Sequence, residues 1–239
     1  MFSRDLVEGD PSVYMELHAE SMFTYDPGGR MRAANEPWPG EAPAPRFFLG
    51  RPARGAATCR YRYDVPEALA RQLARWSADE PAAGDGDAKP KHLNAYLTLL
   101  ESERWTMGPC YEVPSALSPS LETVSLRPDQ GTEWLQDGFD WLVSELDYAQ
   151  PCVALVRDGM AVSVCRSVRI GERAHEAGLE TLEAYRGRGY AAAVVARWAS
   201  EVRERGAIPL YSTMEDNSAS RRVASKLGLL RYGSHLSVY

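Results

Sequence analysis

Hydrophobic positions along the chain recur with two different periods, and the switch between periods marks the elements. Apolar residues three and four apart predict a helix over 11–22 and another over 66–80, with Pro66 at its start and Leu69, Leu73 and Trp76 on one face. The run HLNAYLTLLESERW predicts a third helix over 92–105. Alternation predicts two strands over 46–64 about a turn at 51–55, and a strand in LETVSLRP at 121–128. The segment 129–150 reads as helical, with Trp134, Phe139, Trp141 and Leu142 on its apolar side. A hairpin follows over 151–170, its strands flanking Asp158-Gly159, a dipeptide that favours a type I′ turn. The remainder reads as a strand over 174–182, a helix over 190–205, a strand over 208–213, a helix near 217–227 and a terminal strand over 229–239.

Breakers divide this pattern. YDPGGRMRAANEPWPGEAPAP at 25–45 holds too many Gly and Pro residues for regular structure; it is either disordered or packed over a site through Trp38. PAAGDGDAKPK at 81–91 predicts a surface loop, and GPCYEVPSALSPS at 108–120 an irregular linker. The change of texture after that linker divides the chain into an α+β accessory subdomain, 1–120, and an α/β domain, 121–239. The accessory part carries no assignable motif. It either covers one side of the second domain or is a degenerate copy of it; no repeat of the glycine motif below is visible in it, which favours the accessory reading.

Composition narrows the function classes. A 44% hydrophobic and 25% charged chain is that of a globular protein. Its net charge of −6 is spread evenly: residues 1–118 carry 13 Lys and Arg against 17 Asp and Glu, and residues 119–239 carry 14 against 16. No basic face is signalled, which argues against nucleic acid as partner. Cys59, Cys110, Cys152 and Cys165 lack metal-ligand spacing and read as buried thiols, with no metal expected. The N-terminus is charged throughout, unlike a signal peptide, and no run is long enough to span a membrane. A cytoplasmic protein, monomer or homodimer, is expected.

The candidate chemistry lies at 174–207. A strand leads into Tyr185-Arg186-Gly187-Arg188-Gly189-Tyr190-Ala191 and then into a helix with Tyr190, Val194, Val195, Trp198 and Val202 on one face. A glycine turn opening a helix is an anion site: Gly189 permits close backbone approach, and the first-turn N–H groups have no intrahelical partners. Arg186 and Arg188 add positive charge. Neither the dinucleotide nor the Walker spacing is present.

The spacing of Arg186, Gly189 and Ala191 resembles the R-x-x-G-x-[GA] pattern with which the GNAT superfamily of acyl-CoA N-acyltransferases holds the coenzyme A pyrophosphate. A second motif begins 26 residues after Ala191: Asn217, Ser220, Lys226, Leu227, Gly228 and Leu229 resemble the family's N-x-x-S-x-x-x-x-x-K-L-G-[FL] helix. The resemblance covers the C-terminal half. It implies a GNAT-like fold, a mixed and mostly antiparallel central sheet flanked by helices, and acetyl-CoA as cosubstrate. It further implies that Leu179 to Thr181 line the pantetheine arm, that Gly187, Arg188, Gly189, Tyr190, Ala191 and Ala192 cradle the pyrophosphate with Arg186, and that Asn217 and Ser220 approach from the facing helix.

The implied reaction is acetyl transfer to a primary amine, a small molecule favoured over a protein, by direct attack on the thioester. Glu180 and Glu176, four residues apart on one strand face, are the candidate bases. His175 falls on the opposite face, and His92 reads as an exposed or capping residue. One departure stands out: Ala224 occupies the place where many members carry a tyrosine acid, leaving Tyr211, Tyr232 or water. A non-catalytic acyl-CoA-binding module is the alternative.

Overall fold

The computed structural model describes residues 9–239; the first eight residues, part of the charged start discussed above, lie outside them. Nine strands form one sheet whose order begins with residues far apart in sequence. From one edge it runs β4 (Thr58–Tyr61), β3 (Phe47–Pro52), β11 (Leu230–Val238), β5 (Trp105–Glu112), β10 (Ile208–Ser212), β9 (Ala174–Thr181), β8 (Met160–Ile170), β7 (Cys152–Arg157) and β6 (Val124–Leu126). Every neighbouring pair is antiparallel except β9 and β10, which are parallel. A separate hairpin pairs β1 (Phe23–Tyr25) with β2 (Met31–Ala34).

Helices cover both faces. On one lies α1 (Pro11–Met22), capped by the Asp10 carboxylate accepting from the Ser12 N–H at 2.9 Å. Its Met15, Leu17 and Ala19 pack with Phe48, Cys110, Leu210 and Tyr232. On the other lie α2 (Glu67–Ala78) and α3 (Leu93–Leu100), over Phe47, Leu49, Met107 and Leu236, and α4 (Tyr190–Glu204) with α5 (Ser218–Lys226). Trp198 of α4 is fully buried against Val153, Leu155 and Val162. Burying such a cluster of large side chains is what secures the α4 face, at about 1.5–3 kcal/mol for each fully buried side chain.

Four expectations are corrected. The segment 108–120 is not wholly a linker: residues 108–112 complete β5, between β10 and β11. Gly108 and Pro109 lower strand propensity, but the lack of a side chain is what lets Gly108 meet the next strand, since a Cβ there would lie 1.7 Å from the Thr213 carbonyl oxygen. The segment 25–45 is not without regular structure; the Asp26 carboxylate accepts from the N–H groups of Gly28 and Arg30, folding the turn between β1 and β2. The helix read over 129–150 is two short 3-10 helices, Thr132–Leu135 and Asp140–Glu145, separated by Asp137 and Gly138 at positive φ. Residues 1–120 are not packed apart from the rest: β3, β4 and β5 all belong to the same sheet as β6–β11.

The hairpin turn carries positive φ at both Asp158 and Gly159, as the dipeptide predicts. His92 stands at the start of α3 without capping it; its ring hydrogen-bonds Asp79 at 2.9 Å and stacks on Trp76. All four cysteines are free, Cys59 half-buried and the others buried. No helix among the described residues is long and apolar enough to cross a membrane.

Candidate active site

Strands β9 and β10 begin side by side and then part. Their register pairs Ala174 with Ile208, His175 with Pro209 and Glu176 with Leu210, and stops there. Beyond that point β9 stays on β8 as far as Thr181, and β10 stays on β5 as far as Ser212. The gap is a cleft of about 710 Å³, walled by Ala177, Leu179 and Thr181 on one side and Tyr211, Ser212 and Thr213 on the other. Backbone groups of β9 facing this gap are left without a strand partner.

The glycine turn closes one end of the cleft. Gly189 is the N-cap of α4 at φ 83° and Gly187 sits at φ 79°, both in the left-handed region that favours glycine. Gly187, Gly189, Tyr190, Ala191 and Ala192 line the cleft together with Arg186, whose Nε donates to the Thr181 carbonyl at 3.3 Å. Arg188 points elsewhere: it donates to the Ala184 carbonyl and lies over the Tyr185 ring. A further cation stands beside the turn, outside the residues that line the cleft. Arg157, at the end of β7, stands over the Tyr190 ring at 5.1 Å, and Arg157 first, then Arg188, holds the Tyr190 phenol below its ordinary range. Only the hairpin's closure onto α4 brings it there.

Asn217 and Ser220 line the cleft from α5. Asn217 Oδ1 is engaged, accepting from the Ser220 N–H at 3.0 Å as the helix cap. The Tyr211 hydroxyl hydrogen-bonds Ser220 Oγ at 2.6 Å, and burial pushes its pKa up to about 12, so it holds its proton at the cleft wall. Ala224 is buried in the α4 core, away from any acid role. Tyr232, the other candidate acid, is buried under α1 and does not border the cleft.

The two candidate bases differ sharply. Glu180 borders the cleft with its side chain 52% exposed, 3.8 Å from Arg166. Glu176 is 2% exposed and both its oxygens are occupied: Oε1 meets His18 Nδ1 at 2.5 Å, and Oε2 accepts from Ser212 Oγ at 3.0 Å. It reaches the cleft only through Ser212. His175 lies on the other face, as expected, where Ser167 links it to the Trp198 indole N–H.

Behind Glu176 is a buried group that periodicity did not flag: His18, Cys110 and His235, from α1, β5 and β11. Burial lowers the pKa of His18, but Cys110 and then Glu176 outweigh it and raise the value to about 10. Burial first, then the neighbouring His18, lowers His235 to about 3. His235 borders the cleft from the α1 side.

The arrangement brings a glycine turn at a helix N-terminus, an open strand edge and titratable groups together on one cleft. Residues 151–235 match the family model described as GNAT acetyltransferase. A search of the curated proteins finds no match. Among solved structures, the chain is similar to an acetyltransferase from the GNAT family from Colwellia psychrerythraea, at 12% identity over 76% of each chain with a TM-score of 0.48. It is similar as well to a GCN5-related N-acetyltransferase-like protein from Streptococcus suis, at 16% identity over 81% of this chain and 84% of that one, TM-score 0.46. A GCN5-related N-acetyltransferase from Sphaerobacter thermophilus shares 14% identity over 76% and 72% of the two chains, TM-score 0.45. At such identities and TM-scores the weight rests on the family model. That match takes in both motifs, so the C-terminal part of this chain, over residues 151–235, is similar to the GNAT acetyltransferase family.

Proposed function

We propose that the protein is an acetyl-CoA-dependent N-acetyltransferase that moves an acetyl group to a primary amine, a small molecule in preference to a protein, by direct attack. The observation that carries this reading is the parting of β9 from β10 directly beside the glycine turn. It sets a free strand edge and a helix N-terminus on one cleft, which suits a ligand with an amide-bearing arm and a pyrophosphate. The first-turn N–H groups of α4, Arg186 and Arg157 supply the anion site. Leu179 to Thr181 supply backbone groups to the arm, and a free N–H of that edge can stabilise an oxyanion, a contribution of about 3–4 kcal/mol where measured for such donors.

Acid and base roles divide by exposure. Glu180 takes the proton from the amine directly, whereas Glu176 acts through Ser212. Tyr211 holds a proton for the departing thiolate, and a thiol of pKa about 8.5 needs little help to leave.

A thermal-shift titration of the full chain with acetyl-CoA, beside Gly189→Glu and Arg186→Glu, tests the coenzyme site. Ligand at about 100 times its Kd stabilises by about 2.7 kcal/mol, a rise of roughly 5–10 °C for a chain of this size. The parent shifts, and the variants do not at the same concentration. Absence of any shift in a folded parent at saturating ligand rejects the transferase reading; a shift with no acetylation of any amine leaves a binding module instead.

A further inference from the structure

We propose that His18, Cys110 and His235 bind a zinc-like divalent ion, with Glu176 as the carboxylate that orients His18. One ligand atom from each of the three lies within 4.8 Å of the other two, all in buried side chains. Cys110 Sγ is 3.3 Å from His235 Nδ1 and 4.0 Å from His18 Nε2. Tetrahedral zinc, about 2.3 Å from sulfur and about 2.0–2.1 Å from nitrogen, sets its S···N separations at about 3.6 Å, between those two distances. The imidazoles of His18 and His235 are stacked with centroids 5.1 Å apart, so two nitrogens on separate elements approach the one sulfur.

The orientation of the two rings points the same way. Glu176 Oε1 lies 2.5 Å from His18 Nδ1 and so orients the ring with Nε2 toward Cys110. His235 turns Nδ1 to the same sulfur. A divalent cation bonds both nitrogens and the Cys110 sulfur, releasing to solvent the protons those atoms carry, and is balanced in charge by Cys110 and Glu176 together. Nitrogen and thiolate donors favour zinc over magnesium or calcium. The fourth position falls to an oxygen donor. Tyr232, whose ring stands edge-on to that of His18 with centroids 6.3 Å apart, brings a buried hydroxyl to the same cluster, where burial first and then Cys110 raise its pKa.

The site ties α1, β5 and β11 together, and it does not depend on the coenzyme reading. The test is titration of the chelator-treated full chain with Co(II), followed by absorbance. Binding of one equivalent, with a thiolate-to-cobalt charge-transfer band displaced by one equivalent of Zn(II), is expected. Cys110→Ser, nearly isosteric, loses the band while retaining its cooperative melt, and Cys59→Ser keeps it. Glu176→Gln keeps the band but weakens metal affinity about 10–100-fold. No band in the folded parent, or a band that survives Cys110→Ser, overturns the proposal.

Discussion

Glu180 and Glu176 occupy the same strand face four residues apart, yet their surroundings give them unlike work. Glu180 is open to the cleft and its pairing with Arg166 is loose, so Glu180→Gln leaves the thermal midpoint nearly unchanged while lowering kcat for the accepted amine about 10²–10⁴-fold. An unchanged kcat removes Glu180 from the reaction. His175 carries a pH dependence that the fold imposes. Burial first, then Arg205, lowers its pKa from 6.5 to about 4, while Ser167 hydrogen-bonds its Nδ1. The neutral ring is the folded form, so its stabilisation is complete above pH about 6.5 and is lost as pH falls through about 4, a change of at most about 3 kcal/mol. Denaturant titrations across that window show His175→Gln less sensitive to acid than the parent. Equal slopes in the two proteins refute the assignment. The residue type and spacing of both glutamates are visible in sequence, but which is covered is decided by His18 and Ser212, 158 and 36 residues away.

Among the elements, β5 shows how a poor local signal becomes a central strand. Gly108-Pro109 reads as a breaker, yet it lies where β5 passes within contact of the end of β10. Gly108→Ala places a methyl group against backbone that cannot turn aside, and a loss of about 2–3 kcal/mol is expected from overpacking. A urea midpoint equal to the parent's shows that the two strands do not approach so closely. The hairpin β7–β8, by contrast, was legible from its own residues, because Asp158-Gly159 selects the turn locally. The 129–150 segment has the apolar spacing of a helix, but Gly131 and Gly138 interrupt it and its side chains bury into the β6–β8 face as short turns.

At the scale of the molecule, the sheet does not respect the boundary drawn at residue 120. β10 and β11 are separated by β5, so a fragment of residues 121–239 has two unpaired strand edges where the full chain has a strand. Such a fragment gives no cooperative thermal transition, and adding residues 1–120 restores one. A sharp transition in the fragment alone establishes an independent domain. What the sequence determined by itself is local: hydrophobic period, turn dipeptides, and the Gly187–Gly189 and Asn217 motifs, each a property of residues close along the chain. Tertiary structure alone decided the strand order, the depth of Glu176, the nearness of Arg157 to the glycine turn, and the meeting of His18, Cys110 and His235. Those depend on contacts between residues far apart along the chain, 92 and 125 positions where Cys110 meets His18 and His235, or on which strands become neighbours, and no local pattern specifies a partner at that distance.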